Sequence, residues 1–269
     1  HLAKEVFIMN SFIAWVGGKK ILRKEIVKRF PSNYAEYKYV EVFGGAGWVL
    51  FYKDISEFEV YNDINGELVN LFRCVKYHPE ALEKEFEFIL NSREVFNRFK
   101  TCNFEYMTDI QRAARYLYLI RASYSAKMGS FGVKSRDILN MEVLKNVHKR
   151  LSKTVIENKS FPDIIKYFNK EDVLLYLDPP YHNTEYFYDT GKFDFNEMHY
   201  YIFKFKASLL GKWLVGVCGG FEDDDLEPCG HIFSNMQEYN ETTAKNECIT
   251  MVENIMAYWK EQAAKYNNQ

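Results

Sequence analysis

The chemistry of this chain gathers at Asp178-Pro179-Pro180-Tyr181, directly after the apolar run Val173-Leu174-Leu175-Tyr176-Leu177. A short apolar run of this kind reads as a strand buried on both faces of a parallel sheet. Two successive prolines end the strand, remove two N–H donors and fix φ twice. The backbone carbonyls there are left to face a ligand. A carboxylate, a rigid carbonyl and an aromatic ring then fall within four residues. Such a set suits a planar base with an exocyclic amine: Asp178 and the Pro179 carbonyl each accept one N–H, and Tyr181 stacks on the ring. The plain competing explanation is a strand-ending turn with a core tyrosine. The position after a buried strand favours chemistry, because ligands of α/β sheets sit beyond the carboxyl ends of the strands.

Three further groups have ligand-binding character. In Glu41-Val42-Phe43-Gly44-Gly45-Ala46-Gly47, small residues follow the first strand, where a ligand can approach the backbone closely. The spacing is not Gly-x-Gly-x-x-Gly and no Gly-Lys-Ser/Thr follows, which argues against a dinucleotide or P-loop phosphate site. Asp63, in Asn62-Asp63-Ile64-Asn65, lies 19 residues after Gly44 at the end of the next strand. An acid at such a position accepts ribose hydroxyls or caps the following helix. In Trp15-Val16-Gly17-Gly18-Lys19-Lys20, Trp15 offers a ring face and Lys19 a cation for a carboxylate.

The elements that must position these groups alternate. Short apolar runs at 39–43, 58–61, 173–177 and 213–217 end in Gly, Asn-Asp or Asp-Pro, and helical stretches such as 19–30 and 196–210 separate them. The pattern predicts an α/β fold with a doubly wound sheet. Residues 232–236 and 249–259 read as an antiparallel hairpin at its edge. Residues 66–165 break the rhythm, with helices predicted over 68–76, 79–89, 95–99 and 109–123; Ile110, Ala113, Ala114, Leu117 and Ile120 recur at helical spacing in the last. The expected organisation is a discontinuous lobe of 10–70 and 165–265 with a helical insert at 71–164.

Composition sets the bounds. The 269 residues carry 35 Lys plus Arg against 37 Asp plus Glu, a net charge of -2, which excludes a histone-like polycation but not a protein with a local basic face. Lys127, Lys134, Arg136, Lys145, Lys149 and Arg150 make the C-terminal part of the insert basic. Aromatic residues are 17% of the chain; such rings fill cores and also stack on bases and ligands, and core filling is the expectation for most of them. Cys74, Cys102, Cys218, Cys229 and Cys248 are scattered and read as reduced thiols of a cytoplasmic protein. No apolar run approaches the ~20 residues of a membrane helix. No signal peptide is expected, and Met9 reads as the native start, after eight residues foreign to it. No metal-ligand cluster forms among His78, His148, His182, His199 and His231.

The four motifs in this order resemble the Dam-like (D12 class) DNA N6-adenine methyltransferases. That family carries Trp-x-Gly-Gly-Lys, Glu-x-Phe-x-Gly-x-Gly, Asp-Ile-Asn, a helical target-recognition insert and Asp-Pro-Pro-Tyr; here these are Trp15 to Lys19, Glu41 to Gly47, Asp63 to Asn65, the insert and Asp178 to Tyr181. Tyr188 to Phe193 resembles the segment that follows the catalytic motif, and Arg121 to Gly132 the loop relatives use against DNA. Val42 stands where relatives often have Pro, and Cys218-Gly219 where they often have Ser-Asn.

The resemblance implies a Rossmann-like methyltransferase sheet, S-adenosylmethionine as methyl donor without a metal, and adenine N6 of duplex DNA as acceptor. It implies that Trp15, Lys19, Glu41, Phe43, Gly44, Gly47, Asp63, Ile64 and Asp178 bind the cofactor. Asp178, Pro179, Pro180 and Tyr181 would act on an adenine flipped out of the duplex, and Arg121, Tyr124, Ser125, Phe131, Lys134 and Arg136 would contact DNA. A cytoplasmic monomer that modifies DNA, as in restriction-modification, is the expected setting. The competing expectations are transfer to RNA adenine or a protein glutamine, and a non-catalytic DNA-binding relative.

Overall fold

A computed structural model describes residues 8–132 and 140–179, with residues 212–218 and 230–234 described as strands. Among the described residues, six strands form one sheet: β1 Lys38–Glu41, β2 Glu59–Asn62, β3 Thr154–Glu157, β4 Val173–Leu177, β5 Lys212–Cys218 and β6 Gly230–Ser234. Their order is β3-β2-β1-β4-β5-β6. The first five are parallel. β6 runs antiparallel to β5 at the edge, with Val215 opposite Phe233. The antiparallel edge strand therefore pairs with β5. The second strand of the expected hairpin, 249–259, and the helix expected at 196–210 lie outside the described residues.

The helices are α1 Arg23–Lys28, α2 Trp48–Tyr52, α3 Gly66–Tyr77, α4 Pro79–Glu87, α5 Arg93–Thr101, α6 Asp109–Ala122, α7 Met141–Leu151 and α8 Phe161–Phe168. The two-residue period of the strands sorts them into two layers. Tyr39, Tyr61, Leu174 and Tyr176 face one core with α2, α3, α6 and α7. Val40, Val60, Val173, Leu175 and Leu177 face the other, with Ile164, Ile165 and Phe168 of α8. Alternate residues of β1 and β4 are thus buried on opposite faces, which is why these strands read as unbroken apolar runs.

The helical stretch begins as the sequence predicts. Thr108 accepts from the Gln111 N–H, and the Gln111 side chain accepts from the Thr108 N–H, a capping box that starts α6. Ala113, Ala114, Leu117 and Ile120 are all buried. One element within 71–164 departs from the helical reading: Thr154–Glu157 is a strand, parallel to β2. Its four residues, TVIE, are too few to show a period, so the signal is lost against the helices around it.

Arg150 corrects the basic face expected of the insert. It is 2% exposed, and its guanidinium grips the Glu59 carboxylate at 2.5 and 3.0 Å and the Leu50 carbonyl at 2.6 Å. On α7 it lies on the side turned to the core, with Leu144, Val147 and Leu151. Helical phase, which charge counting ignores, buries it. Lys145 and Lys149 are exposed on the opposite side. Lys134 and Arg136 lie outside the described residues. Among the described residues, no helix is long and apolar enough to cross a membrane.

Candidate active site

The sheet reverses its winding between β1 and β4. From β1 the chain runs outward to β2 and β3, and from β4 it runs the other way to β5 and β6. Carboxyl ends flanking such a reversal leave a crevice for ligands. Glu41 ends β1 opposite Tyr176 of β4, and Asp178 follows one residue after β4. A cavity of about 720 Å³, open to solvent, lies here. It is lined by Trp15, Lys19, Glu41, Phe43, Gly44, Asp63, Ile64 and Asp178, so eight of the nine residues picked from sequence as cofactor contacts meet at one place. The ninth, Gly47, is buried beneath it. Pro179 is described and buried, while Pro180 and Tyr181 lie outside the described residues. Trp48, Val49, Asn65 and Tyr176 also line the cavity and were missed; they belong to a helix start and a strand interior, where residue type alone reads as core.

The glycines are explained mostly by the protein itself. A Cβ on Gly44 would fall inside van der Waals contact with the Tyr61 ring. That ring cannot withdraw: it stacks on Phe72 at 4.0 Å, and its hydroxyl donates to the Gly45 carbonyl at 2.7 Å. Gly47 has φ +67°, the left-handed region that opens α2 without a Cβ penalty. The requirement for small residues therefore comes as much from Tyr61 as from any ligand. Gly44→Ala is expected to cost about 1–3 kcal/mol of stability through overpacking. A lowered urea midpoint with unchanged slope would register it.

Three carboxylates border the cavity. Asp63 accepts from the backbone N–H groups of Gly45 and Asn65, each at 2.8 Å, and so ties the glycine loop to the start of α3. Burial raises its pKa, opposed by those backbone donors. Asn65, not Asp63, caps α3 by accepting from Leu68 N–H at 3.0 Å. Asp178 pairs with the Lys19 ammonium at 2.7 Å, and the two side chains are 14% and 9% exposed. Burial raises the Asp178 pKa and Lys19 opposes the rise. Lys19 also donates to the Gly17 carbonyl at 2.8 Å. Glu41 accepts from the Tyr39 hydroxyl at 2.8 Å, and burial first, with the Asp178 charge adding, pushes its pKa up to about 8. Trp15 lies against Gly45, and Phe43 leans on Phe161 of α8, so two aromatic faces border the same space.

The residues picked for DNA contact separate. After α6 the chain closes a short loop: Tyr124 N–H donates to the Ser130 carbonyl at 2.9 Å and Gly132 N–H to the Ala122 carbonyl at 2.7 Å. Ala126 and Met128 sit at φ 57° and 53°, a costly conformation for residues with a side chain. Tyr124 projects 69% exposed from this loop. Phe131 instead packs on Phe96 of α5, at 5.8 Å, with Arg93 above its ring. Arg121 donates to the Phe12 carbonyl at 2.9 Å and so ties α6 to the N-terminal segment. A further signal went unread: residues 19–29 carry six Lys or Arg and one Glu, and they begin at the cavity wall. No group of three or more His, Cys, Asp or Glu suited to a metal occurs among the described residues.

Comparison with known proteins agrees with this geometry. The family model of the D12 class N6 adenine-specific DNA methyltransferases matches residues 15–247. The type II methyltransferase M.MjaIII of Methanocaldococcus jannaschii is 30% identical over 226 residues, covering 70% of this chain and 76% of that protein. The type II methyltransferase M1.LlaDCHI of Lactococcus lactis subsp. cremoris is 28% identical over 203 residues, 67% of this chain and 68% of its own. The retron Ec67 DNA adenine methylase of Escherichia coli is 28% identical over 207 residues, 71% and 70% respectively.

Proposed function

The chain belongs to the D12 class of N6 adenine-specific DNA methyltransferases, and on that premise we propose that it moves a methyl group from S-adenosylmethionine to N6 of an adenine flipped out of duplex DNA. One observation carries the reading: Asp178 shares a cavity at the β1/β4 reversal with Trp15, Lys19, Phe43 and Asp63. The cofactor's chemical groups suit that lining. Trp15 and the Lys19 ammonium match its methionyl end, with Lys19 facing the carboxylate, the Asp63 carboxylate matches its ribose hydroxyls, and Phe43 offers a ring face in the pocket. When bound, the cofactor supplies an electrophilic methyl on sulfur.

The chain's own residues then do the rest. Adenine N6 is a poor nucleophile because its lone pair is delocalised into the ring. Asp178 and the Pro179 carbonyl accept the two N6 hydrogens. They thereby favour a pyramidal nitrogen and the positive charge that develops on it. Lys19 favours the ionised, accepting form of Asp178, against a burial that favours its neutral form. Holding acceptor and methyl in line supplies much of the rate. Tyr181 stacks on the extruded base, and Tyr124, the exposed one of the two aromatic residues expected to contact DNA, faces the duplex. The basic strip of residues 20–29, with Lys127, meets phosphates, so DNA affinity falls steeply with salt. Residues 71–164, apart from β3, serve target recognition, and the protein works as a cytoplasmic monomer.

The test is transfer of the labelled methyl group to duplex DNA, RNA and protein, with nucleoside analysis of the product. N6-methyladenine in DNA is expected. Label recovered in RNA or in glutamine alone would overturn the reading.

A further inference from the structure

Glu41 borders the cavity without an ion pair among the described residues, held there by hydrogen bonds alone. It is 2% exposed at the carboxyl end of β1, and it lines the cavity. Its neighbours supply hydrogen bonds but no ion pair among the described residues: Tyr39 O–H donates to Oε2 at 2.8 Å, and the Leu50 backbone N–H donates as well. Every titratable group around it is otherwise engaged or of the wrong sign. From β4 it faces Asp178 and Tyr176, and from β2, Tyr61. Lys53, after α2, attracts it from a distance, but its ammonium is held by Glu59, Ser56 and the Asp54 carbonyl. Lys19 is engaged by Asp178 and the Gly17 carbonyl. An ionised carboxylate buried in this way is strongly disfavoured, and the group keeps a proton instead.

We propose that Glu41 is a proton-exchanging selector for the ligand's ammonium: it waits in the empty site as a carboxylic acid and releases its proton to solvent when the ammonium enters. The proposal rests on the cofactor reading above, because S-adenosylmethionine carries an α-ammonium on its methionyl end. The exchange balances simply. The Glu41 O–H bond breaks, the proton leaves to buffer, and the carboxylate left behind pairs with the incoming ammonium. No bond of the ligand changes.

The pH dependence follows from the shift and its sign. The free protein holds the Glu41 proton up to about pH 8. A complex in which an ammonium faces the carboxylate holds that proton only up to the ordinary carboxylate range. Between those limits binding expels a proton, so affinity declines as pH falls from about 8 towards the ordinary carboxylate range. The slope approaches tenfold per pH unit, about one proton per site.

Calorimetric titration of the full chain with S-adenosylmethionine at pH 6.5, in two buffers of different ionisation enthalpy, measures the released proton directly without any turnover. Close to one proton per site is expected. Glu41→Gln keeps a side chain of the same shape beside Tyr39 and Leu50, and it should bind without release. 5′-Methylthioadenosine, which lacks the ammonium, should also bind the unaltered chain without release. Binding of S-adenosylmethionine with no proton released overturns the role of Glu41 and leaves the cofactor assignment standing. Release that persists in Glu41→Gln, or with 5′-methylthioadenosine, also overturns it. Failure of S-adenosylmethionine to bind at any pH overturns the cofactor assignment itself.

Discussion

Asp178→Ala is expected to lower methyl transfer to adenine by at least about a hundredfold while the protein stays folded. The magnitude is that of removing one group aimed at charge developing in a transition state. Asp178 is the only carboxylate of the Asp-Pro-Pro-Tyr motif, and the Pro179 carbonyl cannot replace it as an anion. The substitution also strips Lys19 of its partner at 2.7 Å. Breaking a fully buried pair costs about 3–5 kcal/mol. Here that is an upper bound, because both side chains border a solvent-open cavity and water can solvate the ammonium left behind. Asp178→Asn separates charge from shape. It keeps a carbonyl acceptor at the same place but no longer neutralises a cationic nitrogen, so it should fall between the wild type and Asp178→Ala. Labelled methyl transfer to duplex DNA, read beside thermal unfolding of each variant, checks both expectations. Near-normal transfer by a folded Asp178→Ala protein would sink the catalytic assignment.

The site was legible because its chemistry sits at strand ends. β1, β2 and β4 are short apolar runs, and each stops at the residue that matters: Glu41, Asp63 and Asp178. Winding then brings ends far apart in sequence to one crevice, so local reading found the residues and topology explains their meeting. What escaped was whatever depends on the partner across the gap. Gly44 looked like room for a ligand, yet its missing side chain makes room for Tyr61, 17 residues later in the chain. Phe131 and Tyr124 looked alike in the sequence, and only packing on Phe96 separates them. Arg150 counted as surface charge, yet it is buried. β3 escaped because four residues at a sheet edge carry too little pattern to stand out between helices.

Glu59→Gln is expected to cost about 3–5 kcal/mol of stability, a large share of the roughly 5–15 kcal/mol that holds a domain together. Glu59 is the one anion between two buried cations, Lys53 and Arg150, and Thr154 also donates to it at 3.2 Å. These partners come from the end of α2, the end of α7 and the start of β3, so one carboxylate fixes three elements that meet only in the folded chain. A neutral amide leaves two positive charges buried beside each other. The pH dependence carries the sign. Burial alone would raise the Glu59 pKa, but Lys53 and Arg150 outweigh it and hold the carboxyl below its ordinary value of 4.5. Its stabilising contribution is therefore present above that ordinary value and is lost as pH falls through the depressed one. Urea unfolding of the wild type should weaken in that acid window, and the loss should be much smaller in Glu59→Gln. Replacing all three charges together, as Glu59→Leu with Lys53→Met and Arg150→Met, removes the unpaired cations as well. Buried ion networks exchanged for apolar residues of similar volume are often neutral or better in stability, so this variant should recover most of what Glu59→Gln loses. The network also reaches the site: Arg150 donates to the Leu50 carbonyl at 2.6 Å, and the Leu50 N–H supports Glu41. If the triple variant regains stability but binds cofactor more weakly, the charges serve to hold Leu50, and through it Glu41, in place.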